Sequence, residues 1–450
     1  MHRLSALALA VLCSGCTAAA QYQPWTEATL PQPEGITANF NQRSGASYIS
    51  PLTGERRDGD NLEQQLIAGI AAAQREVLLA VQELTLPAIA EALIERHRAG
   101  LTVKVVLENN YSEPWSRQHP AGLPPHEQRR LSRLKALGWA DAIALLERAG
   151  VPLLDDRADG SAGSGLMHHK FLVIDRQRVF TGSANFTSSG IHGDAGQASS
   201  RGNVNHLLQL ESPELAALFA GEFEQLWGDG PGRHPDSRFG LGKRSRSLQQ
   251  VQLGEARIGV LFAPHRRHDP HHGIALIRQQ LDQAKRSIDL ALFVFSAQEL
   301  ADLLAIKRDQ GVEIRVLVDP GFAHRSYSEW LDLQGLAIAD HRCRLEAGNK
   351  PWAKPLQTVG TPRLPRGDKL HHKFAVIDNK TVITGSFNWS PAAAHTNDET
   401  LLVIHSPTVA AHFSREMDRL WQGAELGITP RLQRKLDRSQ RLCGKSQSAD

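Results

Sequence analysis

The strongest constraint on this chain is that one segment occurs in it twice. Residues Asn61 to Glu108 read as a helix ending in IAAAQREV, an apolar strand VLLAVQEL, a helix AIAEALIERHRAG and a strand LTVKVVLEN. Residues Gly273 to Asp319 give LDQAKRSI, DLALFVFS, ELADLLAIKRDQG and VEIRVLVDP in the same order. A unit that recurs is folded twice, so two like α/β lobes are expected. The apolar segments have strand length, and those between them have helical spacing and stop at Gly100 and Gly311. Strand, helix, strand predicts a parallel sheet with crossover helices. Each copy closes with a helix bearing aromatics on one face, Phe219 with Trp227 and Phe413 with Trp421, which are expected to be core.

Near the end of each copy stands a dense polar motif, HHKFLVIDRQRVFTGSAN from His168 to Asn185 and HHKFAVIDNKTVITGSFN from His371 to Asn388. On a strand, alternate residues share a face, so His168 and Lys170 project together, as do His371 and Lys373. Ser183 with Asn185, and Ser386 with Asn388, are again two apart. A phosphodiester is a tetrahedral anion whose cleavage needs cationic donors for its oxygens, a nucleophile on one side and an acid on the other. Lys170 and Lys373, helped by Asn185 and Asn388, supply the donors, and the two imidazoles supply nucleophile and acid through a covalent phosphohistidine. Phe186 and Trp389, which follow the motif asparagines, are expected to pack against the sheet.

His-x-Lys-x4-Asp followed by Gly-Ser-x-Asn, twice, resembles the phospholipase D superfamily, and the resemblance covers nearly the whole chain after its first twenty residues. It implies two tandem α/β sandwich lobes in a pseudo-two-fold pair, one active site at their interface, no metal and no other cofactor. It also implies that Asp175 and Asp378 are structural. The copies differ at one place. Asn397-Asp398-Glu399 supplies the family's Asn-x-Glu segment in the second half, whereas the first half has Asn203-Val204-Asn205 after an insertion of nine residues. A carboxylate raises the pKa of a neighbouring imidazole and an amide does so only weakly. The expectation is therefore that Glu399 sits behind His371, which acts as general acid, while His168 is the nucleophile.

Three substrate classes fit such a site. A phospholipid hydrolase is the first reading, an exported nuclease the alternative and a phosphatidyltransferase the third; outside these classes, a non-catalytic lipid- or nucleic-acid-binding scaffold comes after. The formal charge of +3 gives little support to a duplex-binding role. The first twenty residues read as an export leader, with Arg3 followed by the apolar run Leu4 to Leu12. Cleavage after Ala20 competes with lipidation of Cys16 in a lipoprotein-like box, so the protein is expected to be periplasmic, secreted or membrane-anchored. With both half-sites in one chain, a monomer is expected.

The expected organisation is a leader over 1–20, lobe 1 over 21–227, a linker over 228–254, lobe 2 over 255–425 and a loose polar tail over 426–450. The linker's Lys243, Arg244 and Arg246 read as solvated charges. Outside the leader stand Cys343 and Cys443; an exported compartment permits a disulfide, but the position of Cys443 in a polar tail favours two free thiols. The histidine-rich stretch from His265 to His272 reads as a solvated loop.

Overall fold

The structure, a computed structural model, describes residues 29–160, 165–232 and 234–444; the leader and its Cys16 lie outside the described residues. The first lobe runs β1 (Ile36–Phe40), a hairpin of β2 (Ser47–Ile49) and β3 (Arg56–Asp58), α1 (Leu62–Ala71), β4 (Glu76–Val81), α2 (Pro87–Arg98), β5 (Thr102–Leu107), α3 (Pro125–Leu137), α4 (Ala142–Ala149), β6 (Leu153–Asp155), β7 (Lys170–Ile174), β8 (Arg178–Gly182), α5 (Ser188–Ile191), β9 (His206–Glu211) and α6 (Pro213–Trp227). The second runs β10 (Gln249–Leu253), β11 (Ala256–Ala263), α7 (Gly273–Asp282), β12 (Ser287–Leu292), α8 (Gln298–Asp309), β13 (Glu313–Val318), α9 (Glu329–Leu333), β14 (Val359–Thr361), β15 (Lys373–Ile377), β16 (Thr381–Gly385), α10 (Pro391–His395), β17 (Glu399–His405), α11 (Pro407–Trp421), β18 (Glu425–Leu426) and α12 (Pro430–Cys443).

Each lobe is built on one sheet, ordered β1-β9-β8-β7-β4-β5-β6 in the first and β10-β11-β17-β16-β15-β12-β13-β14-β18 in the second. The parallel sheet expected from the repeat is confined to β4-β5-β6 and β12-β13-β14. The motif strands β7 to β9 and β15 to β17 are antiparallel, because tight turns rather than helices join β7 to β8 and β15 to β16.

The closing helices α6 and α11 begin alike, with Pro at the first turn and Ser212 or Ser406 accepting from the N–H of Leu215 or Val409. Their apolar faces meet the inner faces of both sheets. Phe171 and Phe219 from one lobe and Phe374 and Phe413 from the other belong to one shared core, while α1 and α2, and α7 and α8, cover the outer faces. Trp227 joins that core and Trp421 packs at its margin; Phe186 and Trp389 are buried on the outer sides.

Two boundary expectations are overturned, and with them the readings of Lys243 and of the two cysteines. Residues 249–253 of the supposed linker form β10, an edge strand of the second sheet. The side chain of the linker's Lys243 is only 5% exposed: its ammonium contacts Glu222 and lies 2.7 Å from Asp398, so it ties α6 to the second lobe. The supposed loose tail folds as α12, whose Leu432 and Leu436 stand one turn apart and pack on the second lobe. Cys343 and Cys443 are disulfide-bonded, since α12 carries Cys443 back to the loop that holds Cys343. In the histidine-rich loop, Arg266, Arg267 and His268 are exposed, but His265 is buried and bonds the carbonyl of Arg246.

Candidate active site

The two motif histidines lie where the lobes meet, and each is fixed by the opposite lobe. The N–H of His168 donates to the carbonyl of Asp398 at 3.0 Å, and that of His371 to the carbonyl of Val204 at 3.1 Å. Side chains repeat the exchange. Nδ1 of His168 bonds a carboxylate oxygen of Glu399 at 2.7 Å, and Nδ1 of His371 bonds Oδ1 of Asn205 at 3.0 Å. The expectation that Glu399 backs His371 is therefore wrong: the segments that follow the motifs cross the interface, so each serves the other copy's histidine.

Serines complete both pairs, Ser386 donating to Glu399 at 2.6 Å and Ser183 to Asn205 at 2.8 Å. The amide nitrogen of Asn205 donates to the carbonyl of Gly190 at 2.8 Å, which turns its oxygen toward His371. Both imidazoles then carry their proton on Nδ1 and leave Nε2 free for chemistry.

Lys170 and Lys373 are each 1% exposed. Their ammonium groups donate to the carbonyls of His168 and His371, at 2.6 Å and 2.7 Å. Beyond these bonds the two lysines differ. Lys170 also reaches Gln82 at 3.3 Å, whereas Lys373 lies over the ring of Phe293, 5.0 Å from its centroid. Gln82 and Phe293 follow β4 and β12 at equivalent places, and motif reading missed both because they lie outside the motifs. Asn185 donates to Gln82 at 3.2 Å, and Oδ1 of Asn185 and of Asn388 are buried without a partner.

His168, His371, Gln82, Phe293, Asn185 and Asn388 line a cavity of about 520 Å³, with Lys369 on its wall. A larger groove, about 1090 Å³, surrounds Arg286 and Arg315 on the second lobe and touches no motif histidine or lysine.

Burial, with the two lysines adding to it, holds His168 and His371 well below the ordinary imidazole value. Burial also pushes Glu399 up to about 7 and brings Lys170 down to about 7. It lowers Lys373 too, reinforced by the charge of Lys170. Burial and mutual repulsion thus disfavour the charged form of both lysines, a cost that a bound anion would relieve.

Asp175 and Asp378 stand away from this centre, at the turns that end β7 and β15. Asp175 accepts from the N–H groups of Gln74, Arg75 and Glu76, and Asp378 from those of Lys285, Arg286 and Ser287. Each pins its turn to the start of the neighbouring strand. Among the described residues, His169, Glu222 and Asp398 form the one cluster with metal-ligand spacing, and the Lys243 ammonium already provides the positive charge there.

Two crossed half-sites on paired α/β lobes define a class, and the chain belongs to the phospholipase D superfamily. A family model described as "Cardiolipin synthase, PLD-like domain" matches residues 66–227 and 277–421. The chain is 31% identical over 140 residues to a mitochondrial cardiolipin hydrolase of Xenopus tropicalis, covering 31% of this chain and 57% of that protein. It is 28% identical over 159 residues to a phospholipase D of Rickettsia bellii, covering 35% of this chain and 66% of that protein. The match thus spans little more than half the length of the cardiolipin hydrolase. The fold resembles that of a phosphatidylserine synthase from Haemophilus influenzae, with a TM-score of 0.57 at 12% identity over 92% of this chain and 96% of the other.

Proposed function

We propose that the chain hydrolyses the phosphodiester of phospholipids by a phospholipase D mechanism. The observation that carries this reading is the bond between Glu399 and His168, in a site shared with His371 and the buried Lys170 and Lys373. Nε2 of His168 attacks phosphorus, and the positive charge that develops on its ring is stabilised by Glu399 at Nδ1. Lys170 and Lys373 hold the non-bridging oxygens. Nε2 of His371 gives its proton to the departing alcohol oxygen as the phosphorus–oxygen bond breaks. Water then attacks the phosphohistidine, losing a proton to His371 and releasing His168. His168 remains the proposed nucleophile, but the reason is reversed: the carboxylate supports the attacking imidazole. The substrate's negative charge offsets the two lysines and favours a protonated His371.

The similarity to a mitochondrial cardiolipin hydrolase and to a phospholipase D supports a lipid substrate. A nuclease is the second reading, favoured by Phe293 and Phe322, which meet edge to face at 4.5 Å on the cavity wall and offer a surface on which a base can stack. The leader-like start makes export, with or without a lipid on Cys16, part of the proposal, as is a monomeric state.

The test offers the purified protein phosphatidylglycerol vesicles, cardiolipin vesicles and single-stranded DNA in chelator. Head-group release that Lys170→Ala abolishes supports the proposal. DNA cleavage without lipid turnover selects the nuclease, and absence of Lys170-dependent turnover on all three overturns both. Covalent phosphoryl label that persists in His168→Ala overturns the assignment of the nucleophile.

A further inference from the structure

We infer that α12 and the residues around it form a docking face for an anionic membrane, beside the mouth of the catalytic cavity. The helix carries Arg431, Arg434, Lys435, Arg438 and Arg441, all exposed, against one acid, Asp437, whose carboxylate is bonded to Gln433. No carboxylate pairs with any of these five cations among the described residues. The nearest charges add to the crowding instead. Lys435 donates to the carbonyl of His324, and burial together with Lys435 and Arg431 brings the His324 imidazole down to about 4.

Cations alone would suit any polyanion. Apolar residues in the same region favour a bilayer, because interfacial binding joins charge attraction to burial of apolar side chains among lipid headgroups. Of the eight large hydrophobic side chains that stand exposed among the described residues, five belong to α12 or to segments beside it. Leu426 and Ile428 lead into the helix and Leu442 ends it, at 44%, 49% and 70% exposure. Leu345 lies two residues beyond the disulfide-bonded Cys343, and Tyr327 three beyond His324. Buried Leu432 seats the helix on the second lobe, and the Cys343–Cys443 bond secures its far end. No helix among the described residues is long and apolar enough to cross a membrane, so contact through such a face would be peripheral.

The face adjoins the site. His324 is two residues from Phe322, which lines the cavity, and the Arg325 guanidinium lies 5.9 Å from the Phe322 ring centroid. A bilayer held against α12 would meet the cavity through this loop. The proposal rests on surface residues and stands whether or not the lipid reading of the site is correct.

The experiment uses the protein carrying Cys16→Ser, so that no N-terminal lipid contributes, and compares it with a variant also bearing Arg434→Glu, Arg438→Glu and Arg441→Glu. Sedimentation with phosphatidylglycerol vesicles and with phosphatidylcholine vesicles reads binding. Hydrolysis of bis(p-nitrophenyl) phosphate, a soluble diester, reads the catalytic centre. Salt-sensitive binding to phosphatidylglycerol is expected, weakened by roughly a hundredfold or more in the charge-reversed variant, with soluble-diester hydrolysis unchanged. Equal binding of both vesicles, or of both proteins, overturns the inference. So does dependence on the three arginines for single-stranded DNA binding or dimer formation, without vesicle binding. Failure of soluble-diester hydrolysis in both proteins counts against the proposed function and leaves the binding result readable.

Discussion

Glu399 of the second lobe holds Nδ1 of His168 of the first at 2.7 Å, so the more strongly supported imidazole belongs to the half that lacks a carboxylate of its own. Replacing Glu399 with Gln removes the charge that stabilises the ring during attack while keeping an acceptor of similar shape. Turnover is expected to fall by roughly a thousandfold or more, the order seen when a triad carboxylate becomes an amide. Stability moves the other way. Burial raises Glu399 to about 7 from its ordinary 4.5, so the folded protein binds the extra proton between those values and loses stability as pH rises through that window. Glu399→Gln is therefore expected to melt at a higher temperature than the unsubstituted protein above pH 7, with the gain fading toward pH 4.5. Calorimetric scans across that range check the sign.

The lysines lead to a prediction about proton traffic. Lys170 is lowered to about 7, so in the empty site it is largely neutral at pH 8, and a bound oxyanion restores its charge. Binding of orthovanadate or phosphate at pH 8 is expected to take up protons, and binding at pH 5.5, where Lys170 is already charged, to take up far fewer. Titration calorimetry in buffers of different ionisation enthalpy measures this, and Lys170→Met is expected to reduce the uptake.

The motif residues could be read from the sequence because alternation on a strand and spacing within a copy are local properties. The partnership of Glu399 with His168 could not. Spacing assigns Glu399 to the second copy, but only the packing of the lobes brings Val204 and Asn205, and Asp398 and Glu399, across the interface. Lys243 was misread for a related reason. Its sequence neighbours are Gly, Arg and Ser, which describe a solvated linker, whereas its partners Glu222 and Asp398 are far away in the chain. The charges of α12 concealed a narrow apolar stripe, Leu432 and Leu436, whose spacing was legible but whose partner surface was not.

Lys243 joins the lobes through buried charges, and breaking such a set leaves carboxylates uncompensated. Lys243→Met is expected to destabilise the protein by about 3–5 kcal/mol, a range typical of a buried pair that loses one member. Lys243→Arg should recover part of the loss. Urea unfolding measures both. Because Asp398 presents its carbonyl to the N–H of His168 and precedes Glu399, the Met variant should also lose turnover in the range where it remains folded.

The disulfide closes a span of 100 residues, from the loop before β14 to the end of α12. Cross-linking so long a loop restricts the unfolded chain, and the chain-entropy model puts the contribution at about 4–5 kcal/mol. Locally, α12 is held by buried Leu432, partly buried Leu436, the contact of Lys435 with His324 and this bond. The double variant Cys343→Ser, Cys443→Ser is therefore expected to show faster amide exchange throughout α12, while the amides of β7 and β15, buried in the centre of each sheet, stay protected. Hydrolysis of a soluble diester should persist, since no catalytic group lies on the helix, and binding to anionic vesicles should weaken. Protection of α12 equal to that of the disulfide-bonded protein would mean that packing alone holds the helix.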